Sequence, residues 1–527
     1  MPLKRTPTPL WRRTTAVVLA ALMASPGVVQ AQVRLPSLGE SASEDLTVGG
    51  ERRLGDQIMA MGRRDPSYYD DPVLLEYVQS LWQPLVAAAR QRGDITADTD
   101  DAFAWEIFLM RERSVNAFAL PGGYVGVHLG LIALTTARDQ LASVLAHELS
   151  HVTQRHIARS IAPQQQASMV ALAATILALL VASRSGSGDM ANAAMMGGQG
   201  AAIQSQLNFS RDMEREADRI GYGILGAAGF STAGMGAMFE KMDFATRLSD
   251  SGSFPYLRSH PLTVDRIAEA RSRSLLDRSA PPGPPLQHGL MQMRARVLMD
   301  DSVIALQRLG GGTSSPLLVD RVAALYGGAM AASMLNDHAR ADAQVTEALQ
   351  LAVTASPREP AAEAALQLLQ ARVRLARGDA PGALVALDTI APGSSLRPAL
   401  LLRAHTSLEL HRAAGGGNTG PAVAELRRST ETLQTWLADH PQDAAAWEGL
   451  AASSEALGLT LRSMRAGAEA RAVVGDLTGA IDRLRAAQAV SRTAVGQDFI
   501  EASVIDTRLR QLVAQRRQRV LDARNGN

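Results

Sequence analysis

The sequence predicts a mainly α-helical chain with one small β-sheet, α+β in class, in which a domain that holds the sheet is followed by a curved array of short helices. Three observations carry this. Apolar residues recur at helical spacing along most of the chain, one tract between residues 102 and 129 alternates like strands, and short turns punctuate Ala/Leu-rich segments after residue 316. The composition agrees: 46% of residues are apolar while only 4% are aromatic, which favours helices over extended sheets. A chain of 527 residues is too long for one small core and implies two or three domains. A net charge of +1 gives no electrostatic case for nucleic acid as a partner. With no cysteine, disulfides, thiolate-held metals and lipid attachment at a cysteine are excluded.

At the start, Lys4, Arg5, Arg12 and Arg13 precede an apolar stretch from Thr14 to Ala24, and Val29-Gln30-Ala31 offers small residues for cleavage. This is the pattern of a secretory signal peptide over residues 1–31, too short in its apolar part for a span of about 20 residues. Residues 32 to 70 read as an arm with a helix-like stretch from Glu51 to Met61. Asp71-Pro72 then starts a helix whose Leu74, Tyr77, Val78, Leu81 and Trp82 make one buried stripe. Residues 91–101 read as a polar loop. Strands follow at Ala102 to Met110, Val115 to Leu120 and Tyr124 to Leu129, the last two joined by the turn Pro121-Gly122-Gly123. Asn116, Ala117, Phe118 and Ala119 fit an edge strand that pairs with an extended substrate backbone, and equally fit ordinary sheet packing.

The sequence His147-Glu148-Leu149-Ser150-His151 carries the chemistry. Residues four apart share a helix face, so His147 and His151 can aim two imidazole nitrogens at one zinc ion. Glu148, adjacent to the first ligand, is placed to take a proton from the attacking water without itself binding the metal. The preceding run from Leu141 to Ala146 is apolar and buries the helix. His156, five residues past His151, leaves the ligand face on a continuous helix and reads as solvated or as a supporting group. Residues 167–182 are apolar nearly all round and 183–200 are rich in Gly and Met. A buried core helix, a membrane-touching hairpin or a flap over the cleft are all open, with a flap or membrane-surface element the preferred reading.

A second helix is signalled at Asn208 to Asp218. Catalytic zinc needs a third protein ligand, and Glu214 is the carboxylate that supplies it. Asp218, one turn on, can accept a hydrogen bond from the far nitrogen of a ligand histidine. Glu216 reads as part of a solvated face. His260, in Ser259-His260-Pro261, is either a structural loop histidine or a further imidazole facing the metal. The Pro-rich stretch 280–285 marks a change of character. It divides a domain at 32–280 from a linker with a connecting helix at 281–315 and a repeat domain at 316–527. There, the segment from His440-Pro441 through Trp447 and Leu450 to the Gly475-Asp476 turn, continuing with Ala480 and Leu484, approximates a 34-residue tetratricopeptide unit. Gly378-Asp379 and Leu325-Tyr326-Gly327 suggest further copies. Gly415-Gly416-Gly417 is expected to break the array, and Arg508, Arg510, Arg516, Arg517 and Arg519 to lie on a solvated terminal helix. Such stacked pairs form a concave surface suited to protein recognition.

His147-Glu148-Leu149-Ser150-His151 followed by Glu214 in Glu-Arg-Glu-Ala-Asp resembles the M48 zinc metallopeptidases. Asn116-Ala117-Phe118-Ala119 before Pro121-Gly122-Gly123, the Ser259-His260-Pro261 segment, the signal pattern and the repeats resemble their periplasmic members with C-terminal tetratricopeptide repeats. The resemblance implies a zincin-like domain followed by a tetratricopeptide-like α-solenoid. It implies one Zn(2+) per chain on His147, His151 and Glu214, with Glu148 as general base; as a separate hypothesis, motivated by its place in Ser259-His260-Pro261, His260 binds the zinc as a fourth ligand in a latent state until substrate displaces it. It also implies a periplasmic endopeptidase for misassembled outer-membrane proteins, linked through its repeats to the outer-membrane assembly machinery. A periplasmic chaperone or scaffold with rare or latent proteolysis is the alternative.

Overall fold

The computed structural model describes residues 46–160, 210–248, 254–276, 285–310, 313–390, 396–493 and 499–525. The signal-peptide pattern, the apolar tract 167–200 and the prolines at 281–284 lie outside these. The described chain enters through α1 (Val48–Gly62), capped by the Thr47 side chain accepting from Gly50 N, with Leu54, Ile58 and Met59 buried. In α2 (Pro72–Arg92) Asp71 accepts from Leu74 N and proline occupies the first turn, where its missing N–H costs no hydrogen bond. The stripe Leu74, Tyr77, Val78, Leu81, Trp82 and Leu85 is buried, as its spacing predicts. Residues 91–101 are not a loop throughout: α2 runs to Arg92, and Thr96 caps a short helix α3 (Ala97–Ala102) with Asp98 and Asp100 in its first turn.

The sheet has three strands, β1 (Glu106–Met110), β2 (Ala117–Leu120) and β3 (Tyr124–His128), in the order β1-β3-β2. β1 begins later than the alternation suggests, because α3 takes up Ala102 and Trp105 sits at φ 49°, outside the extended region. β3 pairs parallel with β1 and antiparallel with β2, with Phe118 opposite Gly126. A side chain at Gly126 would lie 2.4 Å from the Phe118 ring, so only glycine lets that ring cross the sheet.

After α4 (Leu129–Leu134) comes α5 (Arg138–Thr153), buried from Asp139 to Val152. A short helix, α6 (His156–Ser160), follows, and α7 (Arg211–Ala227) packs against α5. Gly221 permits the close approach, since a Cβ there would meet the Ala146 carbonyl oxygen at 3.1 Å. The helices α8 (Ala233–Leu248), α9 (Tyr256–Ser259) and α10 (Val264–Leu276) complete this part.

The helix beyond the prolines is no loose spacer. In α11 (Leu286–Met299), Leu290, Ala295 and Val297 are fully buried, and one buried apolar cluster runs from Leu74 through this helix to Val373. Buried Arg294 is bound by Asp71 at 2.7 Å and by the Tyr326 hydroxyl at 3.0 Å.

The helical array comprises α12 (Val303–Leu309), α13 (Leu318–Met334), α14 (His338–Ala352), α15 (Pro360–Ala376), α16 (Ala380–Asp388) and α17 (Arg397–Ala413). It continues with α18 (Pro421–Asp439), α19 (Ala444–Ala456), α20 (Thr460–Val473), α21 (Leu477–Thr493) and α22 (Phe499–Asn525), each packing on the next. One turn design recurs: a residue in the left-handed region, then an aspartate that caps the following helix. Asn336 (φ 61°), Gly378 (φ 84°) and Gly475 (φ 80°) precede Asp337, Asp379 and Asp476, whose carboxylates accept from Arg340 N, Gly382 N and Gly479 N.

Three readings change here. The segment from His440 to Gly475 holds the pair α19 and α20, so Gly475-Asp476 opens the next pair instead of sitting mid-unit. Gly415-Gly416-Gly417 does not break the array: it loops between α17 and α18, which pack together with Ser407 and Ser429 hydroxyls 2.7 Å apart. The terminal helix is not wholly solvated, because Ile505 and Leu512 are buried and Arg508 forks onto Glu469 at 2.8 Å. Among the described residues, no helix is long and apolar enough to cross a membrane.

Candidate metal centre

The structure brings His147, His151, Glu214 and His260 together, all buried, with one ligand atom from each lying within 4.8 Å of the others. Helical spacing on α5 brings the first two rings edge to face, centroids 4.7 Å apart, with their Nε2 atoms 3.0 Å apart. Glu214, in the first turn of α7, lies 3.5 Å from His147 Nε2 and 3.4 Å from His151 Nε2. His260 caps the end of α9, its Nδ1 2.9 Å from Glu214 Oε1 and 3.3 Å from His147 Nε2.

Glu148 is fully buried beside this cluster. One carboxylate oxygen accepts from the Ala119 backbone N–H at 3.0 Å, and the other faces His260 Nε2 at 3.6 Å. The edge strand β2 thus holds Glu148 through a main-chain amide. Asn116 and Ala117 are buried, while Phe118 and Ala119 are half-buried. Asp218 meets His147 from behind, Oδ1 to Nδ1 at 3.0 Å.

Sequence reasoning missed Arg266. This buried residue of α10 forks onto both Asp218 oxygens, at 2.6 and 2.8 Å, and reaches Glu214 at 2.8 Å. A buried arginine must be paired, but burial at the start of a charged helix leaves no trace in the sequence. The Tyr256 ring, stacked on His260 at 4.6 Å, was equally unsignalled.

His156 is not solvated. Helix α5 stops at Thr153, Arg155 takes the left-handed conformation at φ 52°, and the reversed chain swings His156 back until its Nδ1 lies 2.9 Å from His151 Nδ1. Arg155 is held there by Glu51 at 2.9 Å and by the Leu46 carbonyl. Glu216, expected to be solvated, pairs with His156 Nε2 at 3.1 Å and with Arg159 at 3.3 Å.

The electrostatics of the cluster call for a cation. Burial opposes protonation of His147, yet hydrogen bonds to Asp218 and Glu214 outweigh it and push this imidazole up to about 10. His151 is driven well below the usual range, first by burial. Against burial, the charge of His260 and the hydrogen bonds from all three histidines hold Glu214 well below the usual carboxylate range. Burial would also raise Asp218, but Arg266 and His147 bring it down to about 2. Burial pushes Glu148 up, against the pull of His260 and His147. Two imidazole nitrogens and a carboxylate cannot turn lone pairs on one another at these distances without positive charge between them. By themselves the groups draw a proton onto His147. A divalent cation meets the same demand, and two imidazoles with a carboxylate are a donor set suited to zinc.

Residues 76–274 match the profile of Peptidase family M48. The chain is 33% identical to the beta-barrel assembly-enhancing protease of Escherichia coli strain K12, over 50% of this chain and 53% of that protein. It is 28% identical to the protein of that name in Yersinia pestis, over 92% and 93% of the two chains. The mitochondrial metalloendopeptidase OMA1 of Schizosaccharomyces pombe is 35% identical over 31% of this chain and 44% of its own length. The chain spans about half the length of several curated relatives it matches. His147, Glu148, His151, Glu214 and His260 all lie inside the stretch, residues 76–274, that matches this family.

Proposed function

We propose that the chain is a periplasmic zinc-dependent endopeptidase that acts in quality control of outer-membrane β-barrel proteins. The convergence of His147 Nε2, His151 Nε2 and the Glu214 carboxylate, with buried Glu148 beside them, carries this reading. These three residues would hold the zinc, which when bound supplies a Lewis acid for the scissile carbonyl and a lowered water pKa. Glu148, its pKa raised by burial, takes the proton of the attacking water and returns it to the leaving amine. The Ala119 amide keeps that carboxylate oriented, and residues 116–119, three of them in edge strand β2, are the segment we read as pairing with an extended substrate. Asp218 fixes the His147 tautomer.

His260 stands within reach of the same ion, so it serves as a fourth ligand in a latent state until substrate displaces it. That placement is also what favours the second reading, a chaperone or scaffold with rare proteolysis. Export rests on the signal pattern of residues 1–31 and the clients on the names of the relatives. We read 32–280 as the protease domain, 281–315 as linker and connecting helix, and 316–527 as the repeats that dock the assembly machinery.

The test is cleavage of an unfolded outer-membrane β-barrel protein by purified wild type and Glu148→Gln, with zinc content measured on both. The reading expects equal zinc and a loss of cleavage of about a hundred- to ten-thousand-fold in the variant. Zinc in both with no cleavage by wild type, and identical client binding, favours the scaffold. His260→Ala then separates a latent enzyme from an inert one.

A further inference from the structure

His147 and His151 are both imidazoles of one helix turn, yet they are supported from behind by different chemistry. A metal-binding histidine must keep its far nitrogen protonated so that the near one offers a lone pair. For His147 the acceptor is the Asp218 carboxylate. For His151 the structure offers another imidazole, His156, with Nδ1 facing Nδ1 at 2.9 Å.

Of two ring nitrogens facing each other, one holds the proton, and the environment of His156 decides which. Its Nε2 lies 3.1 Å from Glu216 Oε2, and Arg159 holds that same oxygen at 3.3 Å. A carboxylate only accepts, so the His156 proton sits on Nε2 and its Nδ1 presents a lone pair. The His151 proton is then drawn to Nδ1, and His151 Nε2 is left open toward Glu214 and His147. Without this partner, His151 can place its proton on Nε2, against Glu214 Oε1 at 3.4 Å, where it competes with the metal. The fold places His156 through the left-handed residue Arg155, tied to Glu51 of α1, a conformation that is strained in a residue other than glycine.

We propose that His156, backed by Glu216 and Arg159, is a positioning residue that fixes the tautomer of His151 and thereby sets the affinity of the centre for its metal. The proposal rests on the reading of the cluster as a metal site. It is tested on the full chain by zinc affinity, measured in competition with a chromogenic chelator. Circular dichroism and thermal melting of the zinc-free proteins report the fold.

His156→Leu keeps volume and removes the acceptor, and is expected to weaken zinc binding about 10- to 100-fold. His156→Asn, whose amide oxygen can stand near the place of Nδ1, is expected to recover most of that loss. Glu216→Ala, at a half-exposed position that tolerates truncation, is expected to weaken binding less than His156→Leu. Wild-type affinity in a folded His156→Leu, or an Asn variant as weak as Leu, overturns the proposal. If the Leu variant does not fold, wild-type affinity in Glu216→Ala overturns it instead. A wild type that binds no zinc overturns the metal reading itself.

Discussion

In the candidate metal centre, most of the buried polar groups are met from a distant part of the chain: His147 by Asp218, Glu148 by Ala119, and both Glu214 and Asp218 by Arg266. In the helical array, the recurring polar contact is local, an aspartate accepting from the amide three residues on, as at Asp337, Asp379 and Asp476. The first arrangement is a network in which removing one member strands others in a low-dielectric interior. The second repeats a device whose loss stays within one turn. The two regions should therefore respond to mutation on different scales, although one apolar core runs through both.

The largest stability effect is expected at Arg266. Arg266→Met leaves Glu214 and Asp218 as buried carboxylates without their guanidinium, a loss of about 3–5 kcal/mol for breaking a buried pair. Denaturant unfolding of the zinc-free variant measures it, and saturating zinc should restore part of the loss, because the ion supplies charge to Glu214. Equal losses with and without zinc would separate Arg266 from the centre.

Next is Asp71, which joins the two regions through Arg294. Burial would raise its pKa, but the Arg294 charge and hydrogen bonds overcome this and lower it. A depressed folded-state pKa gives stability that is fully present above the unfolded value, about 4, and is lost as pH falls through the lower folded value. Asp71→Asn is expected to cost about 3 kcal/mol at neutral pH. Its unfolding free energy should also fall less steeply below pH 4 than that of wild type. Parallel pH profiles would contradict the assignment.

The smallest effect belongs to the array. Asp379→Ala removes one cap and should cost about 1 kcal/mol, with no change in zinc affinity. A much larger loss would show that the repeats, too, behave as a network.

The same contrast governs how far the sequence alone is legible. The Asp71-Pro72 helix start, the Gly378-Asp379 turn and the His147/His151 spacing are local, and each appears in the structure where the residues indicate. Glu214 was found because a histidine pair needs a carboxylate, a chemical argument that holds over any sequence distance. Of the two readings of His156, the supporting group holds and the solvated one does not, because only a helix continued past Thr153 would carry it off the ligand face. The helix in fact ends there at a left-handed Arg155, a residue type with no turn signature, held by Glu51 more than a hundred residues away. Arg266 and the burial of α11 were hidden for the same reason. Whether a charged residue is exposed or paired depends on which distant surfaces meet it, and short-range periodicity carries nothing about that.

On the proposed reading, the buried histidines and Glu214 hold a metal ion. The most direct measurement is zinc stoichiometry of the dialysed full chain by elemental analysis, paired with the melting temperature before and after a strong chelator and in Glu214→Ala. The expected result is one zinc per chain, a lower Tm on chelation, and no retained zinc in Glu214→Ala. A wild type that retains no metal, with a Tm indifferent to both zinc and chelator, would contradict it.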